Sequence, residues 1–339
     1  MSNAQPTCRQ CAAPVTPADR FCESCGSTLS DITRVSLPRP GTTPPGPCVD
    51  CSNGHYVDDY CGVCGNRRAE PDRREAEVGG IALVSDRGLE HARNEDAAAA
   101  GLVGPARSRP WAAVAAVCDG VSTSNDAHTA AVAASTAGVD AMLAALAARR
   151  SGHTAVLAGL AEAARAAADA PGADSAMGPS CTYTGAVVIP IDRGVVQISV
   201  GNVGDSRAYW VPDPPAQPER LTVDDSLSQE LITAGAHEAS EAVQSGAHVL
   251  TRWLGADADA KPWADSSVHT MTATGPGSLV LCTDGLWNYL PHADDIARFC
   301  TGPDDAANAR ALVDHALDCG GHDNVTVVVI PIGENHEFG

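Results

Sequence analysis

Two short apolar runs in this chain end alike. Residues 114–117 lead into Cys118-Asp119-Gly120, and residues 279–281 lead into Cys282-Thr283-Asp284-Gly285. An apolar run bounded by turn residues reads as a buried strand. The aspartate at its end stands at a sheet rim, where a charge reaches solvent or a metal. The glycine behind it lets the backbone turn sharply and bring its own carbonyl close to a ligand. The rest of the pattern falls around these two runs. Residues 79–88 predict a strand and a turn, followed by polar residues 91–96 and an alanine-rich stretch. Asn125 and Asp126 offer an N-cap to a helix of about 24 residues ending near residues 149–152. A second alanine-rich helix is expected from about Thr154 to Asp169, stopped by Pro171-Gly172. Residues 182–190 and 195–200 are strands with hairpin spacing, and residues 201–205 turn into a further strand over 206–211. Residues 227–248 read as an irregular helical insertion, residues 304–317 as a helix and residues 325–330 as the last strand. Long helices between runs of hairpin-linked strands predict an α+β fold, with the small residues of the helices packed closely on a sheet.

The first part of the chain has no such pattern. It holds eight of the 13 cysteines as four C-x-x-C pairs: Cys8/Cys11, Cys22/Cys25, Cys48/Cys51 and Cys61/Cys64. Two cysteines three apart on a tight turn aim both thiolates at one ion, and two such turns complete a tetrahedral site. A disulfide framework fits less well, because the N-terminus carries no secretory signal. Two structural Zn2+ sites are therefore expected, in modules that resemble a double zinc ribbon, with the metal supplying their folding energy. His55 lies between ligand pairs but is not needed, since each set already has four sulfurs. The expected organisation is ribbon 1 over residues 1–30, a proline-rich linker over 31–47, ribbon 2 over 48–66 and a charged, solvated linker over 67–78. A catalytic-sized domain over 79–333 and a tail over 334–339 follow.

Charge narrows the function. Forty-two acidic against 22 basic side chains leave a formal net charge of −20, and only Lys261 among the basic residues is a lysine. That argues against nucleic acid or an anionic membrane as partner. A P-loop and a Schiff-base lysine are excluded as well. No apolar run in the sequence approaches the ~18 residues of a membrane span, so the expectation is a cytoplasmic protein.

Asp96 (beside Glu95), Asp119, Asp284 and Asp323 all stand at strand ends or turns. Hard oxygen ligands in that number, without clustered His or Cys, favour Mg2+ or Mn2+ over zinc. Each alone reads as a turn residue or cap. Together with their neighbours they resemble the metal-dependent protein phosphatase family, also called protein phosphatase 2C. The matching pieces are Ser85-Asp86-Arg87-Gly88 with Arg93-Asn94-Glu95-Asp96, then Val117-Cys118-Asp119-Gly120, Val203-Gly204-Asp205-Ser206-Arg207, Leu221-Thr222-Val223-Asp224-Asp225-Ser226, Leu281-Cys282-Thr283-Asp284-Gly285 and Asp323-Asn324-Val325-Thr326. They occur in the family's order over roughly residues 79–332. The resemblance implies a four-layer α-β-β-α sandwich, two antiparallel sheets flanked by helix pairs, with two Mn2+ or Mg2+ ions at one edge. It implies that Asp119 bridges both ions, the Gly120 carbonyl binds one, Asp284 and Asp323 complete the first shell, and Glu95 and Asp96 hold the second ion. Asp224 is expected beside Asp284 at a third, weaker metal, with Asp174 as a further candidate there. Residues 227–248 would be the flap. The implied reaction is hydrolysis of phosphoserine or phosphothreonine in phosphorylated proteins by a metal-bridging hydroxide, without a phosphoenzyme.

The sequence departs from the family around the phosphate. Where relatives place an arginine five residues before the match to Asp96, this chain has His91, whose imidazole is charged only in part near neutrality. The expectation is that phosphate capture is weaker than usual or falls to His91 when protonated, with Arg93 and Arg87 close enough in sequence to reach in. Val121-Ser122-Thr123 replaces the usual Gly-Gly after the Asp119 corner, Gly178-Pro179-Ser180 replaces the usual Gly-Thr-Thr, and His128 is expected on a helix surface. These changes keep open an alternative, a phosphatase-like phosphoprotein-binding or regulatory module with little activity. A zinc-ribbon nucleic-acid binder fits the acidic charge poorly.

Overall fold

The computed structural model describes residues 71–333 apart from 105–109, 174–176, 260, 265–266 and 303. Before them it describes residues 7–8, 11–14, 22–26, 32–38, 47–48, 51–57 and 60–66. In chain order the elements begin with β1 (Ile32–Leu37), β2 (Tyr56–Val57), β3 (Tyr60–Cys61), β4 (Arg73–Val78), β5 (Ile81–Asp86), β6 (Ala97–Val103) and β7 (Ala112–Cys118). Helices α1 (Ala127–Ala147) and α2 (Gly152–Ala168) follow, then β8 (Ser180–Cys181), β9 (Tyr183–Asp192), β10 (Val195–Val203), β11 (Arg207–Pro212) and β12 (Glu219–Arg220). Short helices α3 (Leu227–Thr233) and α4 (Glu241–Ser245) precede β13 (Leu254–Gly255), β14 (Val268–Thr274) and β15 (Gly277–Cys282). The chain closes with α5 (Asp284–Trp287), α6 (Ala293–Ala297), α7 (Asp305–Asp318) and β16 (Val325–Ile332).

Two six-stranded antiparallel sheets carry the domain, in the orders β1-β6-β7-β9-β10-β14 and β12-β11-β15-β16-β5-β4. The central strands are apolar on both faces because both faces are covered. Along β7, Ala113, Ala115 and Val117 enter the core between the sheets, whereas Val114, Ala116 and Cys118 pack under α1 and α2. Along β5, Ile81 and Leu83 face the other sheet, and Ala82 and Val84 face α7. The expected four layers are therefore present. The flanks are unequal: α1 and α2 form a long pair on the first sheet, while α7 is accompanied on the second only by the short α5 and α6.

Alanine is a poor strand former by propensity, yet residues 97–100 belong to β6, fully buried between a helix and a sheet. Small side chains allow that close approach. Helices α1 and α2 close in the same way. A Cβ on Gly138 would strike the ring and hydroxyl of Tyr183, and Gly159 sits against Met142 and the Gly138 carbonyl. Helix α1 is long and apolar enough to cross a membrane by length and composition. Its buried side, Ala127, Ala130, Ala131, Ala134, Val139, Met142 and Leu146, repeats every three or four residues and packs on α2 and the first sheet.

Two stretches expected as linkers contain edge strands. Residues 32–37, between the cysteine modules, form β1, which pairs with β6 from Ile32↔Val103 to Leu37↔Ala98, and Arg34 on it ion-pairs with Asp140 on α1. Residues 73–78 form β4, paired with β5 from Arg73↔Asp86 to Val78↔Ile81. The exposed charges of β4 mark it as an edge rather than a tether. Residues 39–46, Asp174 and the tail lie outside the described residues.

Candidate functional site

One end of the sandwich gathers the acidic residues. β7 ends at Cys118 in the first sheet, which places Asp119 at its rim, and β15 ends at Cys282 in the second, two residues before Asp284. Asp96 directly precedes β6, and Asp323 lies two residues before β16. Two hydrogen bonds to Thr182, between β8 and β9, hold the Asp119 corner: Asp119 N donates to Thr182 Oγ1 at 3.0 Å, and Thr182 N donates to the Asp119 carbonyl at 2.8 Å. Gly120 follows because nothing larger fits; a Cβ there would lie 2.8 Å from the Ala127 Cβ and 2.9 Å from the Glu95 carbonyl oxygen.

The carboxylates sit where each disfavours the others' charge. Asp96 is 3% exposed; Thr283 Oγ1 donates to its Oδ2 at 2.9 Å, and its Oδ1 has no hydrogen-bond partner. Burial first, and then Asp323 and Asp284, push its carboxyl up to about 8. Burial and then Asp96, Asp284 and Asp205 hold Asp119 well above the usual carboxylate range. Asp323 is raised by burial and by Asp284, and Glu95 by burial against the opposing pull of Arg93 and His91.

The loop between β5 and β6 is shaped by Asn324. Its Nδ2 donates to the Arg87 carbonyl at 2.7 Å and the Arg93 carbonyl at 3.1 Å, while its Oδ1 accepts from Glu95 N at 2.7 Å. That side chain stitches the Asp323 strand to the loop carrying Glu95. His91 Nε2 lies 3.2 Å from Asp323 Oδ1, at the edge of the cluster. Arg93 turns the other way: its Nη1 is 3.1 Å from Asp126 Oδ1 and 3.0 Å from His128 Nδ1. Asp126 stands in a left-handed conformation at the start of α1, φ 51°, and makes no side-chain cap. Arg87 donates to Asp72 Oδ1 at 2.8 Å and to the His91 carbonyl. The three cationic candidates for a phosphate thus approach the site, and each is already engaged by a protein group.

Asp224, expected at a third metal, is ion-paired with Arg207. Arg207 spans both of its oxygens, with Nη2–Oδ2 at 2.6 Å and Nε at 3.1 and 3.2 Å, and stacks 3.7 Å over the Trp287 ring. The residue standing beside Asp284 is Asp205, 5% exposed, its carboxyl pushed up to about 8 by burial and then by Asp284 and Asp224. From the insertion over residues 227–248, which folds as α3 and α4, His248 returns with Nδ1 3.5 Å from Asp284 Oδ2 and its ring stacked on Trp287. Asp205, His248 and Asp284 each offer a ligand atom within 4.8 Å of the others. Both partners were hidden in the sequence: Asp205 reads as a turn residue, and His248 reaches the site only because the insertion folds back.

The acidic end fits divalent cations by two observations. Asp96 Oδ1 and Asp284 Oδ1 are buried carboxylate oxygens without a donor, a costly state that a cation relieves. The donors are hard oxygens, the set that suits Mg2+ or Mn2+. The N-terminal cysteines fit a different ion. Within Cys8/Cys11/Cys22/Cys25 and Cys48/Cys51/Cys61/Cys64 all ligand atoms lie within 4.8 Å, and the paired Sγ atoms are 3.5–3.7 Å apart. A tetrahedron of ~2.3 Å Zn–S bonds has edges of ~3.8 Å. A disulfide is ~2.0 Å, and no disulfide joins the cysteines among the described residues.

No family model matches the chain. It is 31% identical over 137 residues to the serine/threonine phosphatase Stp of Listeria welshimeri, covering 40% of this chain and 51% of that protein. It is 31% identical over 259 residues to the serine/threonine protein phosphatase PstP of Mycobacterium tuberculosis, covering 76% of this chain and 46% of that one. The chain spans about half the length of these curated relatives. The crystal structure of the PPM Ser-Thr phosphatase MsPP from Mycobacterium smegmatis, in complex with cacodylate, superposes with a TM-score of 0.54 at 27% identity, over 76% of this chain and 100% of that one.

Proposed function

From a domain with the fold of the metal-dependent Ser/Thr protein phosphatases, we propose that this chain is a Mg2+- or Mn2+-dependent phosphatase acting on phosphoserine and phosphothreonine in proteins. The observation that carries this reading is the acidic cluster at the rim of both sheets, with buried carboxylate oxygens that lack a donor. Asp119, the Gly120 carbonyl, Asp284 and Asp323 would hold one ion, and Asp119, Glu95 and Asp96 a second. Asp205, with Asp284 and His248, would hold a third in place of Asp224. When bound, the ions supply Lewis acidity for hydrolysis of a phosphoric monoester. The chain's own part is to orient and to bind. Thr283 fixes one oxygen of Asp96 and leaves the other free, Thr182 pins the Asp119 corner, and Asn324 sets the Glu95 loop. His91 and Arg93 would meet the phosphate at the rim. The two ring nitrogens of His91 diverge, so it offers a phosphate one N–H at a time where an arginine would offer a fork.

The eight N-terminal thiolates would hold two structural zinc ions, and a cytoplasmic location would keep those thiols reduced. The ribbons would recruit or regulate, since a four-thiolate site has no open position for catalysis. One observation favours the alternative of a weakly active binding module: Arg87 and Arg93, the arginines nearest the loop, are tied to Asp72 and Asp126. Hydrolysis of a phosphothreonine peptide with Mn2+ decides between them. Measurable turnover that disappears in Asp119→Asn and Asp284→Asn supports the enzyme, and equal rates in all three proteins reject it.

A further inference from the structure

Both chain segments that lead out of the second cysteine module join the catalytic domain at its acidic end. β1 leaves the first sheet at Leu37, which pairs with Ala98, two residues past Asp96. β4 enters the second sheet at Arg73, opposite Asp86, which itself pairs with Val325 beside the Asp323 loop. Ten residues, 38–47, separate Leu37 from Cys48, and eight, 65–72, separate Cys64 from Arg73. At ~3.5 Å per residue these tethers reach at most ~35 and ~28 Å. The module therefore cannot leave the neighbourhood of the site. Its exit is also fastened there: Arg87 N donates to the Asp72 carbonyl at 2.8 Å, Arg87 Nε donates to Asp72 Oδ1 at 2.8 Å, and Arg87 continues to the His91 carbonyl.

The module exposes apolar surface that its own fold does not use. Val57 and Tyr60 are cross-strand partners in its β2–β3 hairpin, so their side chains share one face. They are 66% and 55% exposed, and Val63 in the knuckle is 66% exposed. The charge is one-signed. Residues 48–66 contain Asp50, Asp58 and Asp59 and neither lysine nor arginine, and four thiolates on one Zn2+ add two further negative charges.

Building on the phosphatase reading, we propose that the second zinc ribbon is a substrate-docking platform: its Val57/Tyr60 face binds basic, aliphatic-bearing segments flanking the phosphoresidue of the substrate protein. Both tethers keep the module within reach of the catalytic edge, and the net negative charge of the module's sequence selects cationic segments. A phosphoresidue with a flank of up to about 8–10 extended residues spans the tether distance, at ~3.3–3.6 Å each.

The test uses the full chain with Mn2+ and three substrates: p-nitrophenyl phosphate, a six-residue phosphothreonine peptide, and a twenty-residue phosphothreonine peptide with alternating Arg and Leu in its flanks. The charge-neutral double variant Val57→Ser/Tyr60→Ser alters exposed side chains only, and its zinc content relative to wild type reports that the module is intact. The expected result is a KM for the long peptide raised about tenfold, with kcat unchanged and both small substrates unaffected. Fluorescence anisotropy with the unphosphorylated long peptide should show a matching loss of affinity, weakened further by salt in the wild type. An unchanged KM for the long peptide, an equal loss on all three substrates, or a variant that only dissociates a dimer in sedimentation would overturn the proposal. Should the wild type hydrolyse none of the three, the phosphatase reading fails by itself. Anisotropy then decides docking: equal binding by variant and wild type rejects it, and loss of binding keeps it.

Discussion

Arg207 closes on both oxygens of Asp224 in a buried pair stacked on Trp287, while Asp205 faces Asp284 with no such partner. The two aspartates therefore predict opposite mutational outcomes. Asp224→Asn leaves a buried guanidinium without its counter-charge, and chemical denaturation should show a loss of about 3–5 kcal/mol. Asp205→Asn removes one member of a mutually repelling group. Its metal-free form should melt no lower than wild type, and the effect should fall on Mn2+-dependent turnover. The same logic sharpens for Asp119 and Asp284. Replacing either with Asn should cut kcat/KM for a phosphothreonine peptide by about 100-fold or more, the scale of removing one preorganised electrostatic group. Each should also raise the Tm of the metal-free protein and shrink the further rise that Mn2+ produces. Scanning calorimetry with and without Mn2+ checks both, and a lower metal-free Tm in Asp119→Asn would contradict the repulsion argument. At this scale the sequence shows which residues are acidic and stand at strand ends. It does not show which acid meets an arginine, because Arg207 on β11 and Asp224, in the segment after β12, are brought together by the pairing of those strands rather than by spacing.

The elements follow from patterning where one period dominates. α2 begins with Ser151 accepting from Thr154 N, and α7 with Asp304 accepting from Ala307 N, the capping chemistry that marks their starts. The edge strands β1 and β4 and the alanine strand β6 lack that legibility. A polar edge strand looks like a linker, and Ala97–Ala100 carry no strand propensity of their own. What decides them is the surface they land on: Leu37 enters the core between the sheets, and Ala98 and Ala100 fit beneath their neighbours. Close packing at this scale is also testable. Gly138→Leu drives a side chain into Tyr183, and denaturant unfolding should show a loss at the upper end of, or beyond, the ~1–3 kcal/mol typical of overpacking. A change within error would mean that α1 is free to shift away from β9.

In the whole molecule, the thiolate sets and the carboxylate cluster differ in ligand softness, which predicts different metals for each. Purified protein should carry two zinc ions per chain, released by a strong chelator and not displaced by Mn2+. Cys48→Ser should lower the zinc content to one, which a metal-analysis titration reads directly. The catalytic domain has its own core, between the sheets and under both helix layers, so far-UV circular dichroism should change little on zinc removal. Losing the whole fold with the zinc would show instead that β1, strung between the two modules, is needed to close the first sheet.

The sequence by itself determined the α+β class, the two four-cysteine sets and the two strands that end at Asp119 and Asp284, because apolar period, ligand spacing and turn chemistry are all local. Tertiary structure alone decided that those strands belong to different sheets, so that their aspartates meet across the sandwich rather than along one edge. It also decided that Asp205 and His248 stand beside Asp284 while Asp224 meets Arg207, and that the second cysteine module is tethered at the acidic end. Each of these depends on which surfaces pack together, and packing pairs residues far apart in the chain by shape and charge that no local spacing records.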